Sequence, residues 1–344
     1  MILLLAALAV ALGSWWLTGW VRRYALASRL LDIPNERSSH RLPTPRGGGL
    51  AIVVVVLGSL PWLALAGLVE WPLAWALLGA GVLVAAIGFL DDRHDVPARW
   101  RLGCHFLAAG WALGWLGGLP PLGLFSVQIE LGVASYLLGL FYLVWVLNLF
   151  NFMDGIDGIA ALEAISVCAG GALVYLCVGA GQNGVVEWLL ACAVLGFLIW
   201  NFPPARIFLG DAGSGFIGLA LGTLSLQAAW QAPQLLWSWL ILLGVFIVDA
   251  TFTLLRRLLG GEPVHQAHRT HAYQKAAQRY ASHLPVTLAV GAINLFWLLP
   301  LAVMVALQRI EGVLALLVAY APLLFIALWW RAGSAEPQAE IDSR

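Results

Sequence analysis

Stretches of roughly 20 apolar residues recur from one end of this chain to the other, the length a helix needs to cross the hydrocarbon core of a bilayer at about 1.5 Å per residue. Hydropathy places about eleven such runs, at residues 2–20, 48–68, 72–90, 102–119, 133–150, 159–180, 187–201, 214–231, 235–256, 285–306 and 312–330. With 61% of its 344 residues hydrophobic and 10% charged, the chain falls outside the soluble globular range. The expected fold is therefore all-α, a polytopic integral membrane protein with one transmembrane domain over residues 1–344. Residues 332–344 read as a short disordered tail.

An odd number of spans puts the two termini on opposite faces. Threading the runs gathers 17 of the 18 Lys and Arg residues on one side, all except Arg309, and the positive-inside rule makes that side cytoplasmic. The N-terminus is then outside and the C-terminus inside. The first run has no basic residue ahead of it and Arg22-Arg23 behind it, the reverse of a cleaved signal peptide, so it is expected to remain as a helix. Eighteen basic against 18 acidic residues leave no net charge, which removes the basic field of a nucleic-acid binder. The four cysteines, Cys104, Cys168, Cys177 and Cys192, lie inside apolar runs without C-x-x-C spacing and read as packing residues.

Polar clusters interrupt this lipid-soluble pattern, all on the expected inner side. In Asn148-Leu-Phe-Asn151-Phe-Met-Asp154-Gly-Ile-Asp157-Gly158, four side chains able to hold a metal or a phosphate recur at three-residue intervals. On a helix they form a polar strip, and Gly155 and Gly158 leave room for a bound group to approach the backbone. Ionisable groups at the end of an apolar helix are costly and mark function, the plainer alternative being hydrogen bonds to a neighbouring helix. Phe89-Leu-Asp91-Asp92-Arg93-His94-Asp95 ends the third run. If its helix persists, three carboxylates share one face and favour a divalent cation or a general base, whereas a solvated end with an Asp cap is the plainer reading.

Asn201-Phe-Pro-Pro-Ala-Arg206-Ile-Phe-Leu-Gly210-Asp211-Ala-Gly213-Ser214-Gly215 reads as a Pro-broken loop entering a Gly-rich helix start. Backbone N–H groups there suit phosphate, and Asp211 is placed to hold a metal that the phosphate also contacts. The last large inner loop carries His265, His268, Arg269 and His271, with Lys275 and Arg279 behind. These groups either neutralise a diphosphate or lie on anionic headgroups, the second reading being preferred for His265 and for His283. Residues 34–49, ending Arg46-Gly47-Gly48-Gly49, form a stiff basic loop that serves as a lid, a phosphate guide or an anchor. Asp249 lies on the order of 10 Å along its helix from Arg256. A carboxylate at that depth costs roughly 2.5–3.5 kcal/mol, so it is expected to face the interior and a partner. Asn294 reads as interhelical glue.

Taken together and in order, these strings resemble the polyprenyl-phosphate N-acetylhexosamine-1-phosphate transferase superfamily. Its bacterial members include the peptidoglycan translocase and the initiators of O-antigen and common-antigen synthesis. Asp91-Asp92-x-x-Asp95 matches the family's acidic pair, Asn148-x-x-Asn151-x-x-Asp154-Gly-x-Asp157-Gly its long motif, and Phe208-x-Gly210-Asp211-x-Gly213-Ser214 its third, over nearly the whole chain from Pro34 to His271. His268-Arg269-Thr270-His271 departs from the contiguous histidines of the translocase, which favours likeness to the O-antigen initiators. The resemblance implies transfer of a sugar-1-phosphate from a UDP-N-acetylhexosamine to undecaprenyl phosphate, with release of UMP. It places this at the cytoplasmic face of a bacterial inner membrane, with the N-terminus periplasmic, and is compatible with a homodimer. It implies Mg²⁺, with Mn²⁺ able to substitute, on Asn151, Asp154 and Asp211. Base work or lipid-phosphate orientation then falls to Asp91 and Asp92, and substrate contacts to Arg46, Asn148, Asp157, Asn201 and Arg269. His268 and His271, with Arg269, would stabilise diphosphate charge.

Two other classes share some of these features. An ion-coupled transporter carries carboxylates at mid-membrane on broken helices, a place that Asp249 alone fits. An intramembrane aspartyl protease has a Gly-x-Gly-Asp string, but here Phe208 stands where the first glycine belongs.

Overall fold

A computed structural model describes residues 2–34, 42–125, 127–262 and 268–334. The helices are α1 (Ile2–Ala27), α2 (Leu50–Leu65), α3 (Trp71–His94), α4 (Ala98–Leu116), α5 (Ala134–Met153), α6 (Ile159–Cys177), α7 (Val185–Asn201), α8 (Asp211–Gln231), α9 (Gln234–Leu242), α10 (Gly244–Leu259), α11 (Ala272–Tyr280), α12 (Leu284–Ile293), α13 (Leu299–Ala306) and α14 (Gly312–Trp329). Strand is confined, among the described residues, to two antiparallel ribbons: β1 (Leu31–Asp32) with β2 (Thr44–Pro45), and β3 (Leu122–Leu124) with β4 (Val127–Ile129). The chain is an all-α polytopic membrane protein. Each of the expected apolar runs coincides with a helix or a helix pair, and a π-helical turn at Asn294–Leu298 joins α12 to α13.

Not all of the expected runs form a helix that meets a strict measure of length and apolar composition. Eight helices among the described residues are long and apolar enough to cross a bilayer, or nine if α9 and α10, bent by 72° at their junction, count as one. Helices α2 and α4 fall short of that measure, although the N-terminus of α2 and the C-terminus of α3 both meet the start of α8, where a Cβ on Gly49 or Gly88 would sit within 2.6 Å of its backbone. Helix α2 has only 16 residues, and α4 carries Arg99, Arg101 and His105 in its first half.

Helix α8 lies at the centre, with every residue from Ala212 to Leu226 buried. Within lipid, apolar side chains gain little by leaving one apolar phase for another, so close backbone packing becomes the main source of association. Its glycines allow this: a Cβ on Gly218 would sit 2.8 Å from Leu147 Cα, and one on Gly213 would sit 2.6 Å from Gly49 Cα. The start of α8 is thereby fixed against α2 and α5. Residues 332–334, expected to begin a free tail, are tied down: Ala332 is buried, Gly333 N donates to Thr270 O, and Lys275 Nζ donates to Arg331 O and Ser334 O. The rest of the expected tail lies outside the described residues.

Candidate active site

The C-terminal ends of α3 and α5 converge on the N-terminal end of α8, bringing together acids that are remote in sequence. Helix α3 stops because Asp95 adopts a left-handed conformation, φ 46°. Asp95 is consequently exposed and off the helix, which corrects the expectation of three carboxylates on one face. Asp91 and Asp92 remain on α3 and are buried. Asp92 accepts a hydrogen bond from the backbone N–H of Asp211 at 3.2 Å and so caps α8 from a different helix. The helix start that the sequence offered to phosphate is already occupied by a carboxylate. Gly210, at φ 78°, permits the approach, since a Cβ there would lie 2.7 Å from Asp92 Oδ2. That oxygen is buried without a hydrogen-bond partner among the described residues.

Two arginines enter the same cluster. Arg46 Nε donates to the backbone carbonyl of Asp92 at 3.0 Å and stands 3.7 Å from its carboxylate. Arg101, from the first turn of α4, pairs with Asp91 and lies 3.3 Å from Asp211 Oδ2. Sequence reasoning missed Arg101, because an arginine at the start of an apolar run looks like a topological anchor. The available signal was its place one short loop after Asp91-Asp92. Asn151 Nδ2 donates to Asp211 Oδ1 at 2.9 Å and to Ser214 Oγ at 3.1 Å.

The polar strip is helical only as far as Met153. Asp154 caps α5 at φ −85° and ψ 53°, and Asp157 sits beyond the helix in the turn to α6. Burial above all, and then the carboxylates of Asp211, Asp92 and Asp157, push the Asp154 pKa well above the ordinary carboxylate range. Gly155 serves protein packing: a Cβ there would meet Tyr273 Oη at 2.2 Å and Gln274 Nε2 at 3.0 Å. It therefore admits α11, where the sequence suggested a bound group.

Two clefts flank the acids. An apolar groove of about 640 Å³ is walled by residues such as Phe141, Leu254 and Leu258, and Arg101, Asn151 and Asp211 also line it. Asn148 lines this groove too, its amide donating to Val144 O at 2.7 Å within its own helix. The second cleft, about 710 Å³, holds Asp157, Arg269, His283 and Phe208. Asp157 Oδ2 accepts from Ala205 N at 2.9 Å, and Oδ1 lies 3.2 Å from His283 Nδ1. His283 thus belongs to a cleft beside Asp157, against the headgroup role preferred from sequence. Asn201 is buried with its amide engaged by the backbone: Oδ1 accepts from Gly158 N, and Nδ2 donates to Ile207 O, each at 3.0 Å. In this arrangement it braces the loops that carry Asp157 and Asp211.

The basic loops divide. Residues 35–41 and His265 lie outside the described residues. The glycine segment is stapled in place, with Gly48 N and Gly49 N donating to Phe208 O and Leu209 O at 2.9 and 2.8 Å. It holds the chain ahead of α8 and does not form a free lid. His268 and His271 stack with ring centroids 4.9 Å apart. Burial, then the neighbouring His271 and Arg257, push the His268 pKa down to about 3, so its ring is neutral at pH 7 and offers hydrogen bonds without charge. His271 is buried against Asp249.

The carboxylates of Asp154 and Asp211 are oxygen donors of the kind Mg²⁺ takes, whereas Asn151 turns its amide nitrogen toward Asp211 and would offer its oxygen to an ion only after a flip of the amide. Among the described residues no group of three carboxylates, histidines or cysteines makes a ready cage.

A model of glycosyl transferase family 4 matches residues 74–229, which include Asp91, Asp92, Asn151, Asp154 and Asp211. The chain is 33% identical over 324 residues to a decaprenyl-phosphate N-acetylglucosaminephosphotransferase of Mycolicibacterium smegmatis, covering 84% of this chain and 78% of that one. It is 30% identical over 287 residues to a probable undecaprenyl-phosphate N-acetylglucosaminyl 1-phosphate transferase of Bacillus subtilis, covering 81% and 78%. A phospho-N-acetylmuramoyl-pentapeptide-transferase of Synechococcus elongatus is 31% identical over 265 residues, covering 72% and 69%.

Proposed function

The chain belongs to glycosyl transferase family 4, the polyprenyl-phosphate sugar-1-phosphate transferases, and on that premise we propose that it moves N-acetylhexosamine-1-phosphate from a UDP-sugar to undecaprenyl phosphate and releases UMP. The product would be the first lipid-linked intermediate of O-antigen or a related envelope polysaccharide, a reading supported by the spaced His268-Arg269-Thr270-His271 string. The observation that carries the proposal is the apolar groove lined also by Arg101, Asn151 and Asp211. Its walls suit a prenyl chain, and its polar groups suit the phosphate of that chain.

In the reaction, a terminal phosphate oxygen of the acceptor forms a bond to the β-phosphorus of the donor. The bond from that phosphorus to the oxygen bridging the α-phosphorus breaks, and the bridging oxygen leaves with UMP. Mg²⁺, or Mn²⁺ in its place, would be held by Asp211, Asp154 and Asn151 and would neutralise phosphate charge so that two anions can approach. Asp91 steadies the guanidinium of Arg101, which orients the acceptor phosphate. Asp92 fixes Asp211 through the backbone of α8. The apolar walls exclude competing water. Asp157, Arg269 and His283 line the cleft that would take the nucleotide, with neutral His268 as a hydrogen-bonding partner of the diphosphate. The transporter alternative loses its support at Asp249, whose carboxylate caps α11.

We place the site at the cytoplasmic face of the bacterial inner membrane, from the distribution of Lys and Arg. Inside-out vesicles given undecaprenyl phosphate and UDP-GlcNAc, UDP-QuiNAc or UDP-FucNAc should release UMP with at least one donor, and sealed right-side-out vesicles should not. Release with none of the three would reject the donor class, and equal release from both vesicle types would reject the placement.

A further inference from the structure

We propose that Asp249 is a positioning residue of the transfer reaction: its buried carboxylate fixes both the His271 imidazole and the N-terminus of α11, and through them sets the histidine loop against the acidic turn after α5. This inference rests on the transferase reading. A carboxylate within a span is costly unless it is bonded, and Asp249, on α10, is only 7% exposed. Its oxygens accept from Ala272 N and Tyr273 N at 3.0 Å each and from Thr253 Oγ1 at 3.1 Å. The two N–H groups are the first of α11, so a negative charge from another helix sits on that helix's positive end.

His271 Nδ1 lies 3.3 Å from Asp249 Oδ1. A carboxylate at Nδ1 holds the ring proton there and leaves Nε2 as the acceptor. His271 stacks with His268, and also with Tyr273 at 5.7 Å. Tyr273 Oη in turn donates to Phe152 O at 3.0 Å, in the last turn of α5 next to Asp154. Gln274 Oε1 accepts from His271 N at 3.3 Å and locks the start of α11. An unbroken set of contacts therefore runs from Asp249 through α11 to the Asp154 turn, with both histidines attached to it.

Asp249→Asn keeps the shape of the side chain while removing its charge and one acceptor. In the full-length protein with undecaprenyl phosphate and a UDP-sugar that supports turnover, kcat should fall about 10- to 100-fold with the donor KM nearly unchanged, while the thermal midpoint drops because one backbone donor of α11 loses its acceptor. His271→Asn should show a similar loss, and the double variant should lose no more than His271→Asn alone. A wild-type kcat in Asp249→Asn, or a double-variant loss equal to the product of the single losses, would overturn the proposal. Should Asp249→Asn fail to fold, ¹⁵N spectra of histidine-labelled wild type decide: the Nδ1–H tautomer of His271 supports the proposal and the Nε2–H tautomer refutes it. An active Asp249→Asn beside an inactive Asp211→Asn rejects this inference alone, whereas an active Asp211→Asn rejects the transferase site itself.

Discussion

Asp211→Asn should abolish UMP release, lowering kcat by about 10³-fold, or ~4 kcal/mol of transition-state stabilisation, without unfolding the protein. Asparagine is nearly isosteric, and the backbone N–H that Asp92 accepts at 3.2 Å is unaffected. An amide oxygen can still accept from Asn151 Nδ2, now at 2.9 Å. Lost are the negative charge on which a divalent cation depends and the ionic partner that lies 3.3 Å from Arg101. Turnover by a UMP-release assay should therefore collapse while the thermal midpoint stays close to wild type. A variant that retained a tenth of the wild-type rate would remove Asp211 from the centre of the account.

Arg101→Ala should act differently, through the lipid acceptor. The guanidinium spans Asp91 on α3 and Asp211 on α8 and also lines the apolar groove, so it is placed to meet the phosphate of a lipid lying there. Its removal should lower kcat/KM for undecaprenyl phosphate by about 100-fold or more. The donor KM should change far less. Arg101→Lys should recover part of the loss, since it restores charge without the planar fork. Asp91 is buried, and stranding it unpaired will lower stability as well. The acceptor dependence separates the two roles: a lower thermal midpoint with an unchanged acceptor KM would make Arg101 a structural counter-ion only.

Much of this was legible in the sequence because the bilayer leaves so few choices. Twenty-residue apolar runs can only be helices, and acids cannot be scattered among them at no cost. Asp91, Asp92, Asn151, Asp154 and Asp211 were each singled out, and the fold brings their elements to one place. Local geometry was less accessible. A spacing of three suggested continuous helix through Asp157, yet α5 ends at Met153 because the Gly155 turn accommodates Tyr273 and Gln274 from a helix more than a hundred residues later. The α8 start looked open to phosphate because nothing in the sequence reveals that Asp92 reaches across to cap it. Arg101 and His283 stayed hidden for the same reason, since their significance depends on partners brought close by tertiary packing. Asp249 was correctly expected to need a partner, but the partner, the start of α11, could not be named from spacing.

Metal dependence provides the most direct check that these separate acids form one catalytic centre. Purified protein should be stripped exhaustively with chelator, supplied with undecaprenyl phosphate and an active UDP-sugar, and titrated with Mg²⁺. UMP release should be absent at first and return along a single saturating curve, with Mn²⁺ also effective and Asp211→Asn unresponsive to either ion. Undiminished release from the fully chelated protein would contradict the account.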